Sequence, residues 1–188
     1  MTDGVRRYAR RLFIWCRVGA RERQLHRNKP PHRDEAEDKV ISMDQIRPWL
    51  YIGNYRDTTN QSYLTLKSIQ AILQLAEKVE QPGITSLYLP VEDFAPLQFN
   101  LLERGVTFIR AQKTLGNRVL VACGAGINRS SAFCAAALKE EEGLSLFDAF
   151  KEVKRKHPES IPHKPVWESL CNYYNEPIPY LDVMLVKM

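Results

Sequence analysis

At 188 residues the chain suits one domain with a substantial core plus an extension, and no apolar run is long enough to span a bilayer. Cysteines at 16, 123, 134 and 171 fit neither a zinc pattern nor a dense disulfide framework, which points to a reduced, cytoplasmic setting. The net charge of +5 is unevenly placed: residues 1–33 hold ten Lys or Arg against Asp3 and Glu22, whereas the remainder holds 17 basic against 20 acidic residues, a balance that argues against a nucleic-acid-binding domain.

In residues 5–21, Val5, Tyr8, Leu12, Trp15 and Cys16 recur at helical spacing while Arg6, Arg7, Arg10 and Arg17 point elsewhere, the pattern of a basic amphipathic helix. The prolines and mixed charges of residues 28–35 then suit an exposed linker, so residues 1–33 form an N-terminal extension, a globular domain is expected over 40–176, and 177–188 form a tail. Short β-rich runs at 50–52, 71–75, 87–91 and 119–122 alternate with helical patterns. This alternation predicts an α/β fold: a mostly parallel central sheet flanked by helices on both faces. A crossover helix fits residues 99–114. An alanine-rich helix over 129–142 should stop at Gly143, Ser145-x-x-Asp148 caps another through about Lys156, and Pro165 opens a last one to about Tyr174. The alternating apolar tail from 180 reads as an edge strand.

The chemistry concentrates in Arg118-Val-Leu-Val-Ala-Cys-Gly-Ala-Gly-Ile-Asn-Arg-Ser131. Cys123 stands where a strand gives way to a helix, and Gly124, Ala125, Gly126, Ile127 and Asn128 form a loop slim enough for its amides to surround a phosphoryl group. Arg129 adds a planar, permanently charged fork for two phosphoryl oxygens. A thiolate is the attacking species, and the loop amides, the positive helix end and Arg129 all favour it. Asp93, in Leu89-Pro-Val-Glu-Asp-Phe-Ala-Pro96 just past a strand, is the candidate proton donor, with Glu92 beside it as the alternative.

This segment resembles the Cys-x5-Arg signature of protein tyrosine phosphatases, and most closely their dual-specificity branch. Ile46-Arg-Pro-Trp-Leu-Tyr-Ile-Gly-Asn54 is similar to the entry strand of that branch, and Leu66-Lys-Ser-Ile-Gln-Ala-Ile-Leu-Gln-Leu-Ala76 to its next helix end and strand. The resemblance covers about residues 43–175. It implies a cysteinyl-phosphate intermediate on Cys123, an acid role for Asp93, and a Ser130 hydroxyl that eases departure of the thiolate; as a bare sequence feature, Ser130 also suits a helix first turn. No cofactor and no metal are implied, since Arg129 and the amides balance the phosphate charge. The chain departs from the family at Ala122, where relatives carry a histidine that braces the loop. A less ionised or looser nucleophile and a slower enzyme are the expectation there.

The function expected is therefore hydrolysis of phosphomonoesters in phosphoproteins or phosphopeptides, on phosphotyrosine and also phosphoserine or phosphothreonine. Two alternatives stand beside it: a phosphate-binding pseudophosphatase, and a phospholipid phosphatase brought to an anionic membrane surface by the N-terminal helix. The absence of Lys or Arg from residues 124–128 weighs against inositol-lipid substrates, and the acidic domain against RNA. Cys134, Cys171, Trp49 and Trp167 read as core, and His157 and His163 as structural or surface residues.

Overall fold

The computed structural model describes residues 43–186, so the amphipathic segment, the linker and the boundary near residue 40 lie outside the described residues. The apolar runs become strands β1 (Asp44–Arg47), β2 (Leu50–Asn54), β3 (Ala71–Gln74), β4 (Thr85–Tyr88) and β5 (Val119–Cys123) of one sheet, ordered β1-β2-β5-β3-β4. β1 is antiparallel to β2, and every other pairing is parallel. The helices are α1 (Tyr55–Thr59), α2 (Gln61–Leu66), α3 (Phe99–Thr114), α4 (Arg129–Glu142), α5 (Leu146–Lys156), α6 (Lys164–Tyr174) and α7 (Tyr180–Leu185).

Both faces of the sheet are covered, which is why β2, β3 and β5 read as continuous apolar runs rather than alternations. Leu50, Ile52, Leu73, Val119 and Val121 face a large core shared with α3 to α6, while Tyr51, Ile72, Leu120 and Ala122 face a smaller one closed by Leu64 of α2. Helix α4 is the central support: all residues from Ala132 through Leu138 are fully buried, and its alanines let neighbouring helices approach closely. It stops at Gly143 in the left-handed region (φ 68°), where a Cβ is disfavoured. Ser145 then caps α5, its Oγ accepting from the Asp148 amide at 3.1 Å.

Three elements differ from expectation. β4 starts two residues before and ends three residues before the expected 87–91, its end falling short because Pro90 has no N–H to continue the ladder; the flanking amides of Leu89 and Val91 still reach Gln74 O (2.9 Å) and Leu75 O (3.1 Å) before the chain leaves the sheet. β1 buries only Ile46 deeply and has no apolar run to announce it. The tail forms helix α7 instead of an edge strand. It lies against α6 with Val183 turned inward and Leu181, Met184 and Leu185 exposed, and as a helix its backbone satisfies its polar groups locally. Among the described residues no helix is long and apolar enough to cross a membrane.

Candidate active site

The site forms at the carboxyl ends of the parallel strands, where crossovers leave the central strand on both sides. Cys123 ends β5 opposite Asn54 of β2, one residue beyond the Ala122–Gln74 pair with β3. Its sulfur accepts a hydrogen bond from the Gly126 amide at 3.3 Å and lies 3.3 Å from the Ser130 hydroxyl, at the start of α4. Cys123 is 3% exposed and Ser130 is fully buried, but Gly124 and Ala125 are exposed, so the sulfur lies at the floor of a mouth open to solvent. Gly126 adopts φ 79°, and a Cβ there would sit 3.0 Å from the carbonyl of Gly53; both facts demand glycine. Ala122 is buried at 2% exposure in the smaller core, and a small cleft at the end of β5 is lined by Tyr55, Gln74, Glu77, Ala122 and Cys123.

Arg129 is fastened along one edge. Its Nη1 donates to Val91 O at 2.8 Å and Leu75 O at 3.5 Å, and its Nη2 donates to Asp93 Oδ2 at 3.0 Å. Nη2 also lies 3.3 Å from where a Gly124 Cβ would be, so the guanidinium overhangs the loop. The remaining nitrogen, Nε, is buried without a partner. A buried donor left unpaired is costly, and here it belongs to the same fork edge as Nη2. Of that edge, Nη2 is taken by the Asp93 carboxylate and Nε is left without an acceptor.

Asp93 is held from several directions. Its Oδ1 accepts from Asn128 Nδ2 at 2.5 Å and from the Phe94 amide at 3.1 Å, and His163 Nδ1 stands 3.7 Å away. Asn128 is 4% exposed and turns its Oδ1 to the His163 amide at 2.7 Å, so its side chain ties the Asp93 turn to the loop instead of facing the mouth. The Phe94 ring, 70% exposed at a backbone φ of 61°, stacks on His163 with centroids 4.1 Å apart. Glu92 is exposed and stands outside this set of bonds.

All the residues expected at the site thus come together: Cys123, residues 124–128, Arg129, Ser130 and Asp93. Sequence reasoning missed two others. His163 backs the Asp93 turn, and His157 places Nε2 3.1 Å from the Gly126 carbonyl. Neither sits in a motif that a single sequence could reveal. Among the described residues the other two thiols lie outside these contacts, and burial pushes both Cys134 and Cys171 above the ordinary thiol range.

Residues 50–176 match the family model for the dual specificity phosphatase catalytic domain. Human dual specificity phosphatase 28 is 29% identical over 133 residues, spanning 69% of this chain and 76% of that protein. Rat dual specificity protein phosphatase 5 is 27% identical over 139 residues, 72% of this chain but 36% of its own length, so the chain spans about a third of that relative. Among solved structures, human DUSP28 superposes with a TM-score of 0.65 at 28% identity, over 71% of this chain and 93% of that one. A mouse putative dual specificity phosphatase complexed with zinc tungstate superposes with a TM-score of 0.67 at 28% identity, over 77% of this chain and 91% of that one. With two thirds of its length inside the catalytic-domain match and a fold that superposes on a solved dual specificity phosphatase, the chain belongs to the dual specificity phosphatase family.

Proposed function

We propose that this chain hydrolyses phosphomonoesters through a cysteinyl-phosphate intermediate on Cys123, with phosphotyrosine and phosphoserine or phosphothreonine side chains of proteins as substrates. The observation that carries this reading is an Arg129 Nε left without an acceptor on the same loop as a sulfur paired with the Gly126 amide and lying against the Ser130 hydroxyl. Substrate phosphate takes Nε and Nη2 in a bidentate contact and displaces Asp93 from Nη2. The Cys123 thiolate then attacks phosphorus: the S–P bond forms as the bond to the leaving oxygen breaks, and Asp93, which takes up a proton from solvent once it is off the guanidinium, passes that proton to the leaving oxygen. In the second half, water attacks phosphorus while the Asp93 carboxylate takes its proton. The S–P bond breaks, the Ser130 hydroxyl donates to the departing sulfur, and orthophosphate leaves.

Two features support a broad protein substrate. The exposed Gly124 and Ala125 raise no wall above the sulfur, and the exposed Phe94 ring, backed by His163, offers a face to an aryl leaving group. Turnover of para-nitrophenyl phosphate by the native chain, with Cys123→Ser inert, is the expected result. Equal rates in the two proteins would remove the enzyme reading, and tungstate binding without turnover would favour a phosphate-binding module. A panel of phosphopeptides and phospholipid vesicles then ranks the substrate classes.

A further inference from the structure

Resting on the reading above, we propose that His157, oriented by Asp44, is a positioning residue that holds the apex of the phosphate loop in its working conformation. The loop turns amides inward, as Gly126 N–H to sulfur shows, so its carbonyls turn outward and each requires a donor. Gly124 O accepts from the Tyr55 amide at 3.3 Å, and Ile127 O accepts from the Ile161 amide at 3.0 Å and from the Ser131 hydroxyl. Asn128 O accepts from the Ala132 amide at 3.2 Å within α4. Gly126 O instead takes its hydrogen bond from a side chain, His157 Nε2 at 3.1 Å.

That bond stands at the position most in need of it. Gly126 is the left-handed residue of the loop, and it is the residue whose amide faces the sulfur. Its conformational freedom is limited mainly by what its two ends bond. The carbonyl can only accept, so Nε2 carries a hydrogen. The other ring nitrogen is 2.6 Å from Asp44 Oδ2 on β1, which fixes the ring plane. The His157 side chain is 1% exposed, and the residue is pinned at the end of α5 by its amide on Val153 O at 2.8 Å and by Ser160 N on its carbonyl at 2.9 Å. Asp57 of α1 is the second carboxylate within electrostatic reach of the ring, and Ala122 offers the loop no side-chain donor.

Two isosteres separate the donor from its mere bulk. In His157→Gln the amide nitrogen occupies the place of Nε2 and keeps a donor for Gly126 O; in His157→Asn it occupies the place of Nδ1, and that carbonyl is orphaned. The assays are kcat/KM on para-nitrophenyl phosphate, the dissociation constant for tungstate, and Tm. His157→Asn is expected to lose about tenfold or more in kcat/KM and to weaken tungstate in parallel, with His157→Gln staying within about threefold of native on both. Asp44→Ala, which leaves the ring in place but takes away its orienting partner, should fall between them and serves if His157→Asn does not fold. An asparagine variant as active as native, or Gln and Asn variants losing activity equally in step with Tm, overturns the proposal. A native chain that binds tungstate without turnover overturns the reading of function alone, since tungstate affinity still judges the brace; a native chain that binds none overturns both.

Discussion

Replacing Asp93 with asparagine should move catalysis and oxyanion binding in opposite directions. As the proton donor, Asp93 supplies a general-acid contribution of roughly 10² to 10⁴ in rate, or about 3 to 5 kcal/mol of barrier. As the resting partner of Arg129 it is also a competitor for phosphate, because its Oδ2 occupies Nη2 at 3.0 Å. The pair is unequally buried, with Arg129 at 10% and Asp93 at 36% side-chain exposure, so solvent screening brings its strength down to about 1 kcal/mol. Removing the charge frees Nη2 and should tighten tungstate about fivefold. Steady-state kinetics on two aryl phosphates test the first effect: the loss should be deeper for phenyl phosphate than for para-nitrophenyl phosphate, whose leaving oxygen needs less protonation. Titration calorimetry with tungstate tests the second. An Asp93→Asn protein that turned over phenyl phosphate at the native rate, or that bound tungstate more weakly than native, would refute the assignment of both roles to this carboxylate.

Ser130→Ala removes the hydroxyl 3.3 Å from the sulfur, and because hydrogen bonds to charged groups contribute about 1.5 to 3 kcal/mol, breakdown of the phosphoenzyme should slow about tenfold or more. Rapid mixing should then show a burst of nitrophenol; an unchanged kcat without a burst contradicts the role. Gly126→Ala forces a Cβ into the left-handed region 3.0 Å from the Gly53 carbonyl, and should lower stability by about 2 kcal/mol in urea denaturation, whereas an unchanged midpoint would mean the loop relaxes freely. Asp57 has its carboxyl pushed above the ordinary value of 3.8 by burial, with the amides of Asn54 and Met43 opposing the shift. Stability from this group is therefore complete below 3.8 and is lost as pH rises through the higher folded value; carboxyl NMR should show its midpoint above 3.8, and one below would mean the two amides outweigh burial.

What the sequence made legible was whatever is local and repetitive. β2, β3 and β5 announce themselves because each is buried on both faces. The ends of α4 and α5 announce themselves because Gly143 and Ser145 have fixed geometric duties. The tail misled for a physical reason: Leu181, Val183 and Leu185 fall at every second place, but Met184 between them is apolar too, and a segment this short takes its form from what it packs on, here α6. The placement of Asp93 beside Arg129 followed from its position just past a strand together with the family resemblance, which puts an acid aspartate at a similar distance before the cysteine. The supports were not legible. His157 lies 31 residues from Gly126 and 113 from Asp44, and that triplet exists only once β1 has paired with β2 and α5 has packed on α4.

These distant supports bear on why the site can be both open and ordered without a ligand. Arg129 hangs from the backbone carbonyls of Val91 and Leu75, which belong to segments leaving β4 and β3 and do not depend on any phosphate being present. The other edge is treated differently: one nitrogen is left without an acceptor and the other is lent a carboxylate. A guanidinium buried with no anion would carry a large desolvation cost, and one fully satisfied by protein groups would have nothing to offer a substrate. Asp93 resolves this because it is bonded on its other oxygen to Asn128, so it can leave Nη2 by a small rotation while its turn stays anchored to the loop. On the proposed reading, the motion that exposes the phosphate site is the same motion that releases the acid to the leaving oxygen.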